Sequence, residues 1–163
     1  MSIATEDKLA KLNELIKDLK VAMVTTRHRD HLHARPMATL EFNNSGELWF
    51  FTSEKSDKVH DVSESPQVNV TYSDSEHNKF VSISGPAKII RDVDKNKQLW
   101  IPIAKAWFPE GPDDPDLILM KVTIEHAEYW DSPSSKMVVL FSLIGSILKG
   151  KPFDAGENER LDL

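Results

Sequence analysis

Two short stretches of the chain bring together residue types that could hold an anion: Arg35-Pro36-Met37 and Phe50-Phe51-Thr52-Ser53-Glu54-Lys55-Ser56-Asp57-Lys58. The second begins as an apolar run, ends in hydroxyl residues and passes at once into a helical pattern, Ser56 to Glu64, that stops before Pro66. At such a junction the unpaired N–H groups of the first helical turn point toward an anion, and the helix dipole adds favourable potential. Thr52, Ser53 and Ser56 offer hydroxyl donors, while Lys58 and Arg35 carry the charge to neutralise a phosphate dianion. The same residues also suit an ordinary strand–turn–helix with a serine cap and solvated lysines.

Other chemistries find less support. His31 and His33 fall on one face of an extended run and could present two imidazoles to a metal. No third ligand stands near them in the sequence, so His28, His31 and His33 are expected to be exposed histidines at a hairpin turn. The six glycines, at 46, 85, 111, 145, 150 and 156, form neither G-x-G-x-x-G nor a Walker A motif. No G-x-S-x-G nucleophile elbow occurs, and Asp113, Asp114 and Asp116 lack the spacing of a calcium loop and read as solvated loop charges. With no cysteine, disulfides, thiolate metal sites and thiol catalysis are excluded. No acid–base pair for a substrate step emerges; catalytic residues stay unassigned, with His33, on the strand face of Arg35, the one group placed to give a proton.

The elements that must position these residues follow from periodicity. Leu9, Leu12, Ile16 and Leu19 recur at helical spacing among charges, with Thr5 as candidate N-cap and Glu6 and Asp7 in the first turn. Strands are expected at Val21–Thr26, Leu32–Phe42, Glu47–Thr52, Gln67–Ser73, Lys79–Ile90 and Leu117–Trp130. Leu48-Trp49-Phe50-Phe51-Thr52 is apolar on both faces, so both should be covered. Pro36 marks an edge or bulge, and Gly85-Pro86 a bend in its strand. Asp92 can cap a helix reaching about Ala104, Trp107–Asp116 is a proline-rich loop, Lys136–Lys149 reads as a helix and Gly150–Leu163 as an extended polar tail.

At 163 residues the chain has the size of one domain, and no repeat or linker divides it. Twenty Lys+Arg against 26 Asp+Glu give a net charge of −6, which argues against a nucleic-acid partner. The longest apolar run, Met137–Leu148, is too short for the roughly twenty residues of a bilayer span. The N-terminus lacks the apolar core of a signal peptide, so no membrane partner and a cytoplasmic location are expected. Six strands at hairpin spacing with flanking helices indicate a mainly β architecture, a small antiparallel barrel with helices at its ends.

The order of motifs also carries a family resemblance. A leading helix, an Arg35-Pro36-Met37 strand and Trp49-Phe50-Phe51-Thr52-Ser53…Ser56…Lys58 resemble the flavin-binding split-barrel superfamily typified by pyridoxamine 5′-phosphate oxidases. Trp107-Phe108-Pro109-Glu110-Gly111-Pro112, Glu128-Tyr129-Trp130-Asp131 and Gly150-Lys151-Pro152 are similar to its bacterial general stress protein branch. The resemblance covers essentially the whole chain. It implies a six-stranded antiparallel split β-barrel with N-terminal, connecting and C-terminal helices, a single domain over 1–163, and a homodimer with FMN at the subunit interface. By the same resemblance Arg35, Ser56 and Lys58 would surround the flavin phosphate. Met37 and the backbone around Phe51, Thr52 and Ser53 would line the ring and ribityl chain. Trp130, or else Trp107, would reach the flavin from the partner subunit, with core packing as the alternative role for either. If the protein is an enzyme, the implied class is an FMN-dependent oxidoreductase with NAD(P)H as electron donor. The alternatives are a non-catalytic flavin-binding stress module and a flavin-free dimeric interaction protein; haem or a deazaflavin are other ligands of the fold. Two departures matter. The oxidases carry an Arg-Lys pair where this chain has Asp57-Lys58, and no counterpart of their C-terminal Arg and His segment precedes Leu163. Pyridoxamine phosphate oxidase activity itself is not expected.

Overall fold

The computed structural model describes residues 3–131 and 157–162. Helix α1 spans Ile3–Ile16 and buries Leu9, Leu12, Leu15 and Ile16. It starts before Thr5, so Thr5 lies inside the first turn rather than at the cap; Ile3 and Ala4 are both compatible with helix and nothing in them delays its start. The strands are β1 Val21–His28, β2 His31–Phe42, β3 Glu47–Ser53, β4 Gln67–Asp74, β5 Lys79–Ile90, β6 Leu117–Thr123, β7 His126–Asp131 and β8 Glu157–Asp162. Between β3 and β4 lies helix α2, Asp57–Glu64, and between β5 and β6 helix α3, Val93–Leu99.

Antiparallel pairing runs β4-β1-β2-β3-β6-β5, and a further β4–β5 ladder closes these six strands into a barrel. Closure depends on the bend in β5. Residues 79–84 pair with β7, and after Gly85-Pro86 residues 87–90 pair with β6. The run expected as one strand, Leu117–Trp130, is divided correspondingly at Ile124-Glu125, whose N–H groups donate to Gly46 O and Ser84 O instead of to a ladder partner. Strand β8 pairs with β7 outside the barrel, and so part of the polar tail is extended as its composition indicated. The helix begun at Asp92, whose carboxylate accepts from Lys95 N, ends at Leu99 rather than near Ala104. Pro102 brings no N–H and disfavours helical geometry at Ile101, so Pro102–Ala106 restarts as a 3-10 turn. A second 3-10 turn, Gly111–Asp113, tightens the expected loop. The helix expected at Lys136–Lys149 lies outside the described residues.

Inside the barrel, Leu12, Val24, Leu48, Phe50, Val70, Ile83, Met120 and Tyr129 form one continuous apolar cluster. Val68, Val70 and Tyr72 point inward as their alternation predicts. Tyr72 keeps one polar contact, its Oη lying 2.7 Å from Thr39 Oγ1, and burial pushes its phenol up to about 12. On β3, Leu48, Trp49 and Phe50 are all buried, so both faces are covered. On β2 it is the Arg35–Met37–Thr39 side that faces in. Leu32, opposite, is 74% exposed, and Ala34, Pro36 and Ala38 share its outer face.

Candidate functional site

The two stretches singled out by residue type meet at one end of the barrel, where α2 lies against β1 and β5. Strand β3 delivers Thr52 to this end as a buried hydroxyl, and the turn after Ser53 brings Ser56 back as N-cap of α2. Ser56 makes no side-chain cap bond; its Oγ lies 3.1 Å from Thr52 Oγ1. One residue into the helix, Lys58 Nζ donates to the same Thr52 oxygen at 3.0 Å. Burial, then the neighbouring Arg35 charge, hold the Lys58 ammonium below the ordinary lysine range, and Asp57 only partly offsets them.

Arg35 comes from β2, directly opposite Val24 in the β1 ladder. Its side chain is 15% exposed, with Nη1 donating to Thr26 Oγ1 at 2.9 Å. Nη2 is buried, 3.5 Å from Asp61 Oδ2, and has no hydrogen-bond partner. An unpartnered buried guanidinium N–H beside an ammonium and the first turn of a helix is the donor set a phosphate group requires. The residues present therefore fit the phosphate of a bound nucleotide-like cofactor.

Behind Arg35 stands a carboxylate that the sequence reading did not single out. Asp61 of α2 is 2% exposed; its Oδ2 accepts from Thr26 Oγ1 at 2.8 Å and its Oδ1 from His28 Nδ1 at 2.6 Å. Burial pushes this carboxyl up, but the Thr26 and His28 hydrogen bonds, with the His28 and Arg35 charges, outweigh it and hold the group below the usual carboxylate range. A signal existed: Lys58, Asp61 and Val62 recur at i, i+3, i+4 on one helix face, and Thr26 and His28 continue the inward period of Val24. His28 is thereby half-buried rather than exposed, whereas His31 sits out by Asp30. The rings of His31 and His33 lie 5.2 and 6.4 Å from that of His28, yet among the described residues no group of three or more side chains could hold a metal.

The remaining candidates spread over the surroundings. Ser53 Oγ turns away to donate to Asp116 Oδ2 at 2.6 Å. Phe51, on the other face of β3, packs against Trp100 and Phe108. Met37 is buried in the main core. Trp130 pairs with Phe80 across β7 and β5 on the outer sheet face, and Trp107, at the end of the 3-10 turn, is 70% exposed. Thus Arg35, Thr52, Ser56 and Lys58 converge within the chain, and Trp107 and Trp130 do not join them.

A family model described as pyridoxamine 5′-phosphate oxidase like matches residues 7–154. Protein bli-3 of Neurospora crassa is 27% identical over 161 residues, an alignment covering 92% of this chain and 77% of that protein. The crystal structure of a general stress FMN/FAD binding protein from Xanthomonas citri superposes with a TM-score of 0.69 at 30% identity, covering 80% of this chain and 92% of that one. A putative general stress protein 26 from Jannaschia sp. CCS1 superposes with a TM-score of 0.73 at 22% identity over 97% of this chain and 99% of its own, a likeness of fold.

Proposed function

The chain belongs to the pyridoxamine 5′-phosphate oxidase-like family, and on that premise we propose that it binds FMN, with the phosphate monoester in the Arg35–Lys58 pocket, as a flavoprotein of the general stress kind. The observation that carries this reading is Arg35 Nη2, a buried donor with no hydrogen-bond partner beside Lys58 and the first turn of α2. Leaving such a donor unpaired costs about 1–3 kcal/mol, which an incoming phosphate oxygen would recover. The flavin, when bound, would supply electron-transfer chemistry, with NAD(P)H as the donor that reduces it. The chain's own part is to hold and orient: Arg35 and Lys58 neutralise the phosphate, while Thr52 and Ser56 add hydroxyl contacts. The backbone from Phe51 to Ser53, together with Met37, would line the ring and ribityl chain. Asp57 replaces a second cation at the pocket, which favours a weaker hold on the phosphate than an Arg-Lys pair would give.

The same reading includes a second copy of the chain. On the outer sheet Val21, Met23 and Leu32 are exposed beside Ala34, Pro36 and Ala38, and Phe80 is exposed opposite Trp130. An apolar face of this kind favours a partner of equal chemistry. A homodimer would cover it and bring a partner tryptophan toward the ring.

Titration of the purified protein with FMN and with riboflavin, followed by flavin fluorescence, tests the cofactor assignment. Lys58→Ala is expected to weaken FMN by about 1.5–3 kcal/mol, the scale of a hydrogen bond to a charged group, and to leave riboflavin nearly unchanged. Equal losses for both ligands refute the phosphate assignment, and no binding of either leaves a flavin-free protein. Bleaching of bound flavin by NAD(P)H separates an oxidoreductase from a binding module.

A further inference from the structure

Asp61 lies beside the pocket, where it contacts Arg35 and the half-buried His28. Its Oδ1 is bound by His28 and its Oδ2 is shared between the Thr26 hydroxyl and, at 3.5 Å, Arg35. Resting on the FMN-phosphate reading, we propose that Asp61 is the internal counter-ion that sets the pocket's hold on a phosphate monoester, and that His28, when protonated, takes over its charge.

The charge balance gives the sign. With His28 neutral, Arg35 and Lys58 face two carboxylates, Asp61 and, at the first turn of α2, Asp57, so the charges of the pocket balance. With His28 protonated, Asp61 is neutralised at 2.6 Å from the outside, and the ligand meets one net positive charge. Arg35 is then less committed to Asp61 and Nη2 is freer to meet a phosphate oxygen. His28 is suited to this because it meets Asp61 at 2.6 Å while its side chain remains 24% exposed. The groups facing it are Asp61 from α2, His31 and His33 from β2, and Asp30 from the hairpin turn, with Arg35 of β2 also paired to Asp61. A neutral Asn at 61 keeps the shape and an acceptor for Thr26 while removing the competing charge.

The test compares FMN with riboflavin, each titrated into the full chain at pH 6 and pH 8, for the natural protein, Asp61→Asn, His28→Gln and His33→Gln. The quantity read is the phosphate advantage, the ratio of the riboflavin Kd to the FMN Kd. FMN's own phosphate takes a second proton near pH 6, a change shared by all four proteins that cancels when each is compared with the natural one. Asp61→Asn is expected to raise the advantage roughly three- to tenfold at pH 8, the effect of removing one nearby charge behind a partly screened site. His28→Gln is expected to lower it by a similar factor at pH 6 and to leave it unchanged at pH 8. His33→Gln should leave both values near those of the natural protein. An advantage that survives in the natural protein but is unmoved or lowered by Asp61→Asn overturns the counter-ion role and leaves the FMN site standing. Equal FMN and riboflavin affinities in the natural protein overturn both together. Should Asp61→Asn fail to fold, the His28→Gln and His33→Gln pair decides: a loss at pH 6 common to both, or absent from His28→Gln, overturns the proposal.

Discussion

Gly85→Ala isolates the feature that lets one chain close this barrel. At Gly85, strand β5 leaves β7 and turns toward β6, passing the link between those strands. A Cβ built there would stand 1.9 Å from Thr123 O, 3.0 Å from Thr123 C and 3.1 Å from Glu125 N. All three atoms are backbone, so no rotamer change relieves the contact. Either the β6–β7 link or the bend must move by more than 1 Å, roughly the gap to ordinary van der Waals separation. That movement costs about 1–3 kcal/mol as overpacking. It also strains the Glu125 N–H to Ser84 O bond, 3.0 Å long, which is worth about 1 kcal/mol. Against this, replacing glycine in a strand returns about 0.5–1 kcal/mol of chain entropy. The expected net is a loss of about 1–3.5 kcal/mol, or roughly 2–14 °C in midpoint for a chain of this size. Urea denaturation of the natural protein and the variant, compared at equal concentration, measures it. A variant as stable as the natural protein, or more so, means that the entropy gain wins and the bend does not need glycine.

Three further outcomes are expected. Asp61→Ala leaves Arg35 and His28 without their buried carboxylate, and urea unfolding at neutral pH should show a loss of about 3 kcal/mol. Because the folded Asp61 carboxyl lies below its unfolded value near 3.9, its contribution is present above that pH and is lost as pH falls through the folded value; Asp61→Asn should flatten this acid limb of the stability profile. Replacing Leu32 by Glu together with Phe80 by Glu should shift sedimentation toward a monomer if the outer sheet face is the dimer contact, and a natural protein that sediments as a monomer refutes that contact.

The barrel was legible because its strands obey simple periods. Val68, Val70 and Tyr72 alternate inward, and the doubly apolar stretch of β3 is covered on both sides. Where the expected elements differ from the observed ones, the cause is a local backbone constraint set against a longer apolar pattern. Leu117 to Trp130 reads as one run because Ile124 is apolar and buried, but its ladder is interrupted by donations to Gly46 and Ser84 from other parts of the chain. The expected helix from Asp92 meets Pro102, whose missing N–H outweighs the apolar residues beyond it.

The site was legible in part for a related reason. Thr52, Ser56 and Lys58 lie within seven consecutive residues of a strand-to-helix junction, so local spacing alone places them together. Asp61 and His28 are separated by 33 residues and meet only because α2 folds back over β1. A sequence pattern reports such a meeting weakly, since an aspartate in a helix is ordinarily a solvated charge. The cost of burying that carboxylate is instead met by a hydroxyl, an imidazole and a guanidinium from two strands. Arg35 in turn keeps one guanidinium nitrogen, Nη2, 3.5 Å from Asp61 Oδ2 without a hydrogen bond. A buried acid that merely stabilised the fold would be expected to engage the whole fork. On the proposed reading Asp61 holds Arg35 without saturating it, and the unspent donor is what a third, anionic group would engage.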